Sequence, residues 1–195
     1  IIWMRSLGGG SGLFGVKGPT MFFVGVLGLL ASWTCLRRRM LSRRELREGA
    51  LVEMLATLQQ RAGLTRRVRL SVSARITSPF STGLLWPEIC VPEAVLHALR
   101  PAQQQALLAH ELGHLLRHDP AWFGVSFLIE KLFFFQPLNR LARRELGELA
   151  EVACDDWAVR WTGARLALAS CLTEVAGWIV DEKPRLVMPP GLAGQ

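Results

Sequence analysis

Tyrosine is absent from the 195-residue chain and cysteine is scarce: Cys35, Cys90, Cys154 and Cys171 stand far apart, with no C-x-x-C pair among them. Dispersed cysteines argue against a disulfide-stapled scaffold and suit a reducing compartment. Charge is also sparse, at 20% against 50% hydrophobic residues, which excludes extended disorder away from the ends. No internal repeat is visible, and the length suits one domain with a sizeable core and little left for a second. The chain opens on "IIWMRSLGGG" without an initiator Met, so a piece of a longer protein is the expectation.

The charge that is present is unevenly placed. Lys and Arg outnumber Asp and Glu by 23 to 16, giving +7, a balance that suits nucleic acid or anionic lipid. Position decides between them. Arg37, Arg38, Arg39, Arg43, Arg44 and Arg47 crowd the far side of "PTMFFVGVLGLLASWTCL", residues 19–36. That uncharged stretch has the length of a bilayer span, about 17–25 residues. A signal peptide would carry its positive charge before the apolar part, and a core helix would not run into an arginine cluster. The positive-inside rule then puts everything after Leu36 on the cytoplasmic side of the inner membrane. Membrane lipid is an expected partner, and direct nucleic-acid binding is not expected.

The expected organisation is an N-terminal segment 1–18, a transmembrane helix 19–36, a catalytic domain 37–180 and a loose tail 181–195. Within the domain, Leu46, Ala50, Leu51, Met54, Leu55 and Leu58 recur at helical spacing up to Gly63. "RVRLSVSARI" alternates and predicts a strand. "LLWPEICVP" reads as a short strand broken by Pro87, and a proline inside a strand points to a sheet edge. "EAVLHAL" is a short helix, and Pro101 is placed to start the next one. "AWFGVSFLIEKLFFFQPLN" is too charged at Glu130 and Lys131 for a span, so a buried or membrane-apposed helix is expected. Two further helices follow, "ARRELGELAEVACDDWAVRW" and "ARLALASCLTEVAGWIV". The fold class is therefore α+β, mainly helical with a small sheet.

The chemistry concentrates in "LLAHELGHLLRHDP", residues 107–120. Residues four apart on a helix sit about 40° apart around its axis and roughly 6 Å along it. His110 and His114 can thus offer ring nitrogens to one zinc ion, with Glu111 as a base beside it. Two histidines in a core helix would be the plain structural alternative. It leaves Glu111 unexplained, because an unpartnered buried carboxylate is costly. For a third ligand, "ELGELAEVACDDW" offers Glu145, Glu148 and Glu151, and Glu151 has Asp155 one turn on. A carboxylate behind a metal-bound His fixes its tautomer, so Glu151 with Asp155 is preferred over Glu148. Glu145, Glu148 and Asp156 suit a solvated face with pairs to Arg144 or Arg160. His118 is read as a solvated helix-end residue, and Cys154 as a small core residue.

In order and approximate spacing, "SPFSTGLLWPEICVP", "LLAHELGHLLRHDP", "FFFQPLN" and "EVACDD" resemble the BlaR/MecR-type membrane zinc metallopeptidases over roughly residues 40–175. The resemblance implies a gluzincin fold with a zinc cofactor, His110, His114 and Glu151 as ligands, Glu111 as base and Asp155 behind a ligand. It also implies that Gly83 to Val91 is the edge strand holding a substrate peptide, with Gly83, Leu84, Leu85, Ile89 and Val91 in contact. The family's aromatic-Asn-Pro reads Phe135-Gln136-Pro137 here, and no penicillin-binding sensor domain is present. The implied activity is endopeptidase cleavage of a peptide or protein, such as a cytoplasmic repressor or the chain itself, and a homodimer is compatible with it. With no Tyr available, Arg160 or Arg165 is the expected oxyanion partner. A quality-control membrane metalloprotease and a non-cleaving zinc-stabilised scaffold are the two alternatives.

Overall fold

The computed structural model describes residues 27, 28, 30, 34, 43–83, 85–133 and 136–182. Most of the expected transmembrane segment 19–36 therefore lies outside the described residues, although Leu27, Gly28, Leu30 and Thr34 are helical. Among the described residues no helix is long and apolar enough to cross a membrane.

The elements run β1 (Arg44–Leu46), α1 (Ala50–Arg61), β2 (Arg69–Ser73), β3 (Phe80–Thr82), β4 (Glu88–Pro92), α2 (Val95–Ala98), α3 (Pro101–Leu116), α4 (Asp119–Leu132), α5 (Pro137–Thr162) and α6 (Arg165–Glu182). The sheet order is β1-β2-β4-β3, with β2 and β4 parallel and the outer pairs antiparallel. The result is mainly helical α+β, as expected.

Two local expectations are corrected. Leu46 does not belong to the first helix: it pairs with Leu70 across the β1–β2 ladder, and Gly49 at φ 113 separates that strand from α1. Cross-strand pairing overrides a helical spacing that extends by only one residue. More consequentially, the "WPEICVP" strand is not an edge. Pro87 stands before β4 and Pro92 ends it, so neither removes a ladder hydrogen bond from its middle. Glu88, Ile89 and Cys90 pair with β2 on one side and β3 on the other. The edge strand on this side of the sheet is β3, with β1 at the opposite edge.

Helix α3 is the centre of the molecule. It is buried from Gln103 through His114 almost without interruption, the pattern of a helix surrounded by other elements. Its Leu107, Leu108 and Leu112 join Leu51, Leu55 and Leu58 of α1, Ile89 and Val91 of β4, and Leu168 and Val175 of α6 in one core. The helix starts at Pro101, with the Gln103 side chain accepting from the Arg100 N–H at 2.8 Å. Helix α5 begins five residues before the expected start, at Pro137, and ends as expected at Gly163, φ 68. Helix α4 has only Asp119 buried. It carries Trp122, Val125, Leu128, Ile129 and Leu132 outward, so the buried alternative for this segment is excluded.

Gly113 sets the distance between α3 and α5. A Cβ there would stand 3.3 Å from Cys154 Sγ and 3.5 Å from Cys154 Cα, so even a methyl group would have to push the Cys154 side chain by a few tenths of an ångström, and a larger side chain by more. Gly113→Val should overpack this contact, costing about 1–3 kcal/mol. Thermal unfolding should show a fall in Tm of roughly 3–10 °C, and a Tm within 1 °C of wild type would refute the close-packing role.

Candidate metal centre

His110 and His114 leave α3 on the side where α5 crosses it, with ring centroids 5.0 Å apart and planes at 79°. Each ring has a carboxylate behind it. His114 Nδ1 lies 2.9 Å from Asp119 Oδ2, and His110 Nδ1 lies 2.9 Å from Asp155 Oδ1. The second pair is off the in-line geometry of a hydrogen bond, and neither atom has another partner among the described residues. A carboxylate at Nδ1 favours the proton there and leaves the Nε2 lone pair facing the site. Both Nε2 atoms face the same carboxylate: Glu151 Oε2 is 3.4 Å from His110 Nε2, and Glu151 Oε1 is 3.7 Å from His114 Nε2.

The donor set fits a metal. All three ligand atoms lie within 4.8 Å of one another. Bonds of about 2.0–2.1 Å in a tetrahedral site place neighbouring ligands about 3.3–3.4 Å apart, close to the two contacts found. A carboxylate with two neutral imidazoles is also the borderline-soft mixture that zinc takes. The other acidic residues go elsewhere. Glu148 is exposed and bound by Arg144 Nε at 2.7 Å, the solvated i,i+4 pair expected of it. A second potential grouping, His114 with Asp119 and Cys154, shares the His114 ring. There burial first and then the Asp119 charge push the thiol up to about 12, and Cys154 Sγ donates toward Asp119 Oδ2 at 3.7 Å. His118 is exposed and outside both groups.

Glu111 is 5% exposed, at the floor of a cleft of about 280 Å³ rimmed by Ser78 to Ser81, Phe123, Glu151 and Leu172. Burial pushes its carboxyl upward from the ordinary value, while His110, His114 and the Ser81 hydroxyl pull it back in part. Burial depresses the His110 imidazole, but Glu151, Glu111 and Asp155 outweigh it and the net direction is upward. Glu151 moves down, held by its contact with His110 against a smaller desolvation effect.

The expected substrate residues are scattered. Ile89 and Val91 are fully buried on β4, so they cannot touch a peptide; Leu85 is exposed in the β3–β4 turn; Leu84 lies outside the described residues. Gly83 ends β3 at φ 89, where a Cβ would stand 2.1 Å from the Trp86 carbonyl oxygen, so its role is to make the turn. Neither Arg160 nor Arg165 lines the cleft. Two residues were missed. Ser81 lies in "SPFSTGLLWPEICVP", to which a role was given only from Gly83 onward. Asp119 follows His118, read as a solvated helix-end residue, and was given no role. His118 at φ 60 folds the chain back so that the first residue of α4 meets the last histidine of α3. Removing this carboxylate should loosen the His114 ring without removing a ligand. Asp119→Ala should lower zinc affinity about 10- to 100-fold in competition with a chelator, whereas Glu148→Ala should leave it unchanged; equal affinities for both variants would refute the assignment.

The chain matches the family described as BlaR1 peptidase M56 over residues 20–172. It is 23% identical over 90 residues to the methicillin resistance protein mecR1 of Staphylococcus aureus, covering 46% of this chain and 15% of that protein. It is 27% identical over 105 residues to the regulatory protein BlaR1 of Bacillus licheniformis, covering 54% and 17%. Protease HtpX homolog 1 of Streptomyces coelicolor is 30% identical over 179 residues, covering 73% and 58%. The chain thus spans about a sixth of the length of the first two relatives. In fold it is similar to the crystal structure of S. mikatae Ste24p, with a TM-score of 0.54 and 15% identity over 81% of this chain and 50% of that one. The match to the family extends over most of the chain and includes every residue of the His110–His114–Glu151 cluster: this chain is a member of the BlaR1 peptidase M56 family.

Proposed function

We propose that this chain is the catalytic part of a membrane-anchored, zinc-dependent endopeptidase. The observation that carries the reading is the convergence of His110, His114 and Glu151 on one point, with Glu111 beside it at the floor of a cleft rimmed by an edge strand. Bound at these three residues, zinc would supply Lewis acidity for a peptide carbonyl and for water. Glu111 does the proton work. Its raised pKa suits a carboxylate that accepts a proton from the attacking water and returns it to the leaving amine. Asp155 and Asp119 keep the two Nε2 atoms aimed inward. The substrate peptide lies on the free edge of β3, in place of the expected 83–91 segment. Backbone pairing there gives affinity with little demand on side chains.

The membrane part of the proposal rests on the uncharged stretch 19–36, the arginines that follow it and the outward Trp122, Leu128 and Leu132 of α4. With that topology the catalytic cleft faces the cytoplasm. Cleavage of a cytoplasmic repressor, or of the chain itself, in regulatory signalling is supported by the relatives named as a regulatory and a resistance protein. A general membrane protease is the second reading, favoured by the HtpX homologue that covers the larger share of the chain.

Purified protein should carry close to one zinc per chain, and His114→Ala and Glu151→Ala should each lose most of it. Glu111→Gln is nearly isosteric and should keep the metal while hydrolysis falls by about 10²-fold or more. Retained cleavage in Glu111→Gln would remove Glu111 as the base. Partner binding without cleavage by either protein would establish a scaffold instead.

A further inference from the structure

Helix α4 has two faces of different kinds. At 100° per residue, Trp122, Val125, Leu128, Ile129 and Leu132 fall within an arc of about 140°, and all five are exposed. The other side carries Asp119 against His114, Phe123 on the rim of the metal-site cleft, and Glu130 paired with Arg143 of α5. Asp119 and Glu130 are the two carboxylates of the helix, so its apolar face has none. That face continues onto the start of α5, where Leu138 and Leu141 are exposed as well. An apolar patch of this extent marks a contact surface.

The surroundings point to lipid. Lys131 and the exposed Arg140 flank the end of the α4–α5 hairpin. The chain reaches the domain from the uncharged stretch 19–36 through Arg37, Arg38, Arg39 and Arg43. Glu88 holds Arg43 at 2.9 Å, and the neighbouring Pro87 lines one cleft with Leu116, Pro120 and Ala121 at the start of α4. The apolar stretch and the apolar face therefore adjoin the domain across a single cleft, each with cations beside it. Basic residues next to an apolar face suit the negative headgroups of an anionic bilayer.

We propose that the outward face of α4, with Leu138 and Leu141, lies on an anionic bilayer surface, and that this contact keeps Asp119 seated behind His114. The proposal rests on the metallopeptidase reading and adds a regulation to it: the catalytic centre is complete when the domain lies on lipid. The coupling is mechanical and local. Asp119 is the buried residue of α4, so the protein core fixes little else of this helix. Lipid on one face and His114 on the other fix it together. A spanning anchor by itself would need no apolar face here.

The test uses the full-length protein with zinc in nanodiscs containing phosphatidylglycerol, one chain per disc. Cys90, Cys154 and Cys171 are buried, and Cys35→Ala removes the fourth cysteine. A fluorescent label is then placed at Leu128→Cys or, on exposed α6, at Leu166→Cys. Nitroxide lipids should quench the label at 128, more strongly from the headgroup end than from the chain end, and spare the label at 166. Such a depth profile fits a helix sunk about 5–10 Å into the interface. No quenching at 128, or equal quenching at both positions, overturns the surface. Protection of 128 only in discs loaded with two chains does so too, and makes a second copy the occupant.

Coupling is read by zinc competition in the same discs. Leu128→Glu and Ile129→Glu should each weaken zinc binding about 10-fold, the lower end of the loss expected for Asp119→Ala, while Leu166→Glu should not. All three positions are exposed, so these variants should fold. In an Asp119→Ala background, Leu128→Glu should add nothing further. Full additivity, or unchanged zinc binding in both α4 variants, overturns the coupling. None of these readouts uses cleavage, so a protein that shows them yet cuts no peptide overturns the peptidase reading and leaves the surface in place.

Discussion

Three polar side chains, two imidazoles and a carboxylate, sit inside a helix that is buried on nearly every side, and the rest of the structure answers to that constraint. Isolated in a core, each would be costly, Glu111 most of all. The costs are met by convergence. Each imidazole has a carboxylate behind it and Glu151 in front, and Glu111 has both imidazoles and Ser81 for neighbours. An assembly of this kind is balanced only when all its members are in place, and that makes the packing around α3 part of the site's chemistry.

The partners arrive on three separate elements, and each arrival has an identifiable cause. Helix α5 brings Glu151 and Asp155 in by packing on α3 at Gly113, where a Cβ would crowd Cys154 by a few tenths of an ångström. Helix α4 brings Asp119 because His118 takes a left-handed conformation that reverses the chain within two residues. The sheet brings Ser81 because β4 is sandwiched between β2 and β3, leaving β3 outermost beside α3. Glu88 anchors that arrangement: almost fully buried, it accepts from Ser71 at 2.7 Å and pairs with Arg43 at 2.9 Å and Arg69 at 3.1 Å. Arg43 stands directly before β1, so the pair with Glu88 ties the start of the sheet's first strand to β4.

What could be read from the sequence was local. The i,i+4 histidines, the Glu between them and the Glu151–Asp155 turn are each defined within one helical repeat, and the structure brings those five residues together without rearrangement. The separation of Glu151 from Glu148 was also legible, since Glu148 has its own cation one turn earlier at Arg144. What failed was non-local. Pro87 looks like an interruption of one strand until the ladder shows it standing just before β4. A proline near one end of a strand cannot tell an interior strand from an edge one when the order of the sheet is unknown, and the substrate role that the family resemblance implied for Ile89 and Val91 is one that burial excludes. Asp119 was invisible for a related reason: its partnership with His114 depends on a single left-handed residue, which a His-Asp-Pro triplet does not announce.

Moving the edge from the 83–91 segment to β3 changes what recognition can mean. A peptide laid on 83–91 would have met a mixed surface along five residues. Laid on β3, which is only three residues long, it gains a short backbone ladder, too little for high affinity by itself. On the proposed peptide path, binding energy and selectivity must then come from side-chain contacts beyond the ladder, and the cleft with Glu111 at its floor and Phe123 and Leu172 on its rim is the surface beside β3 that offers them.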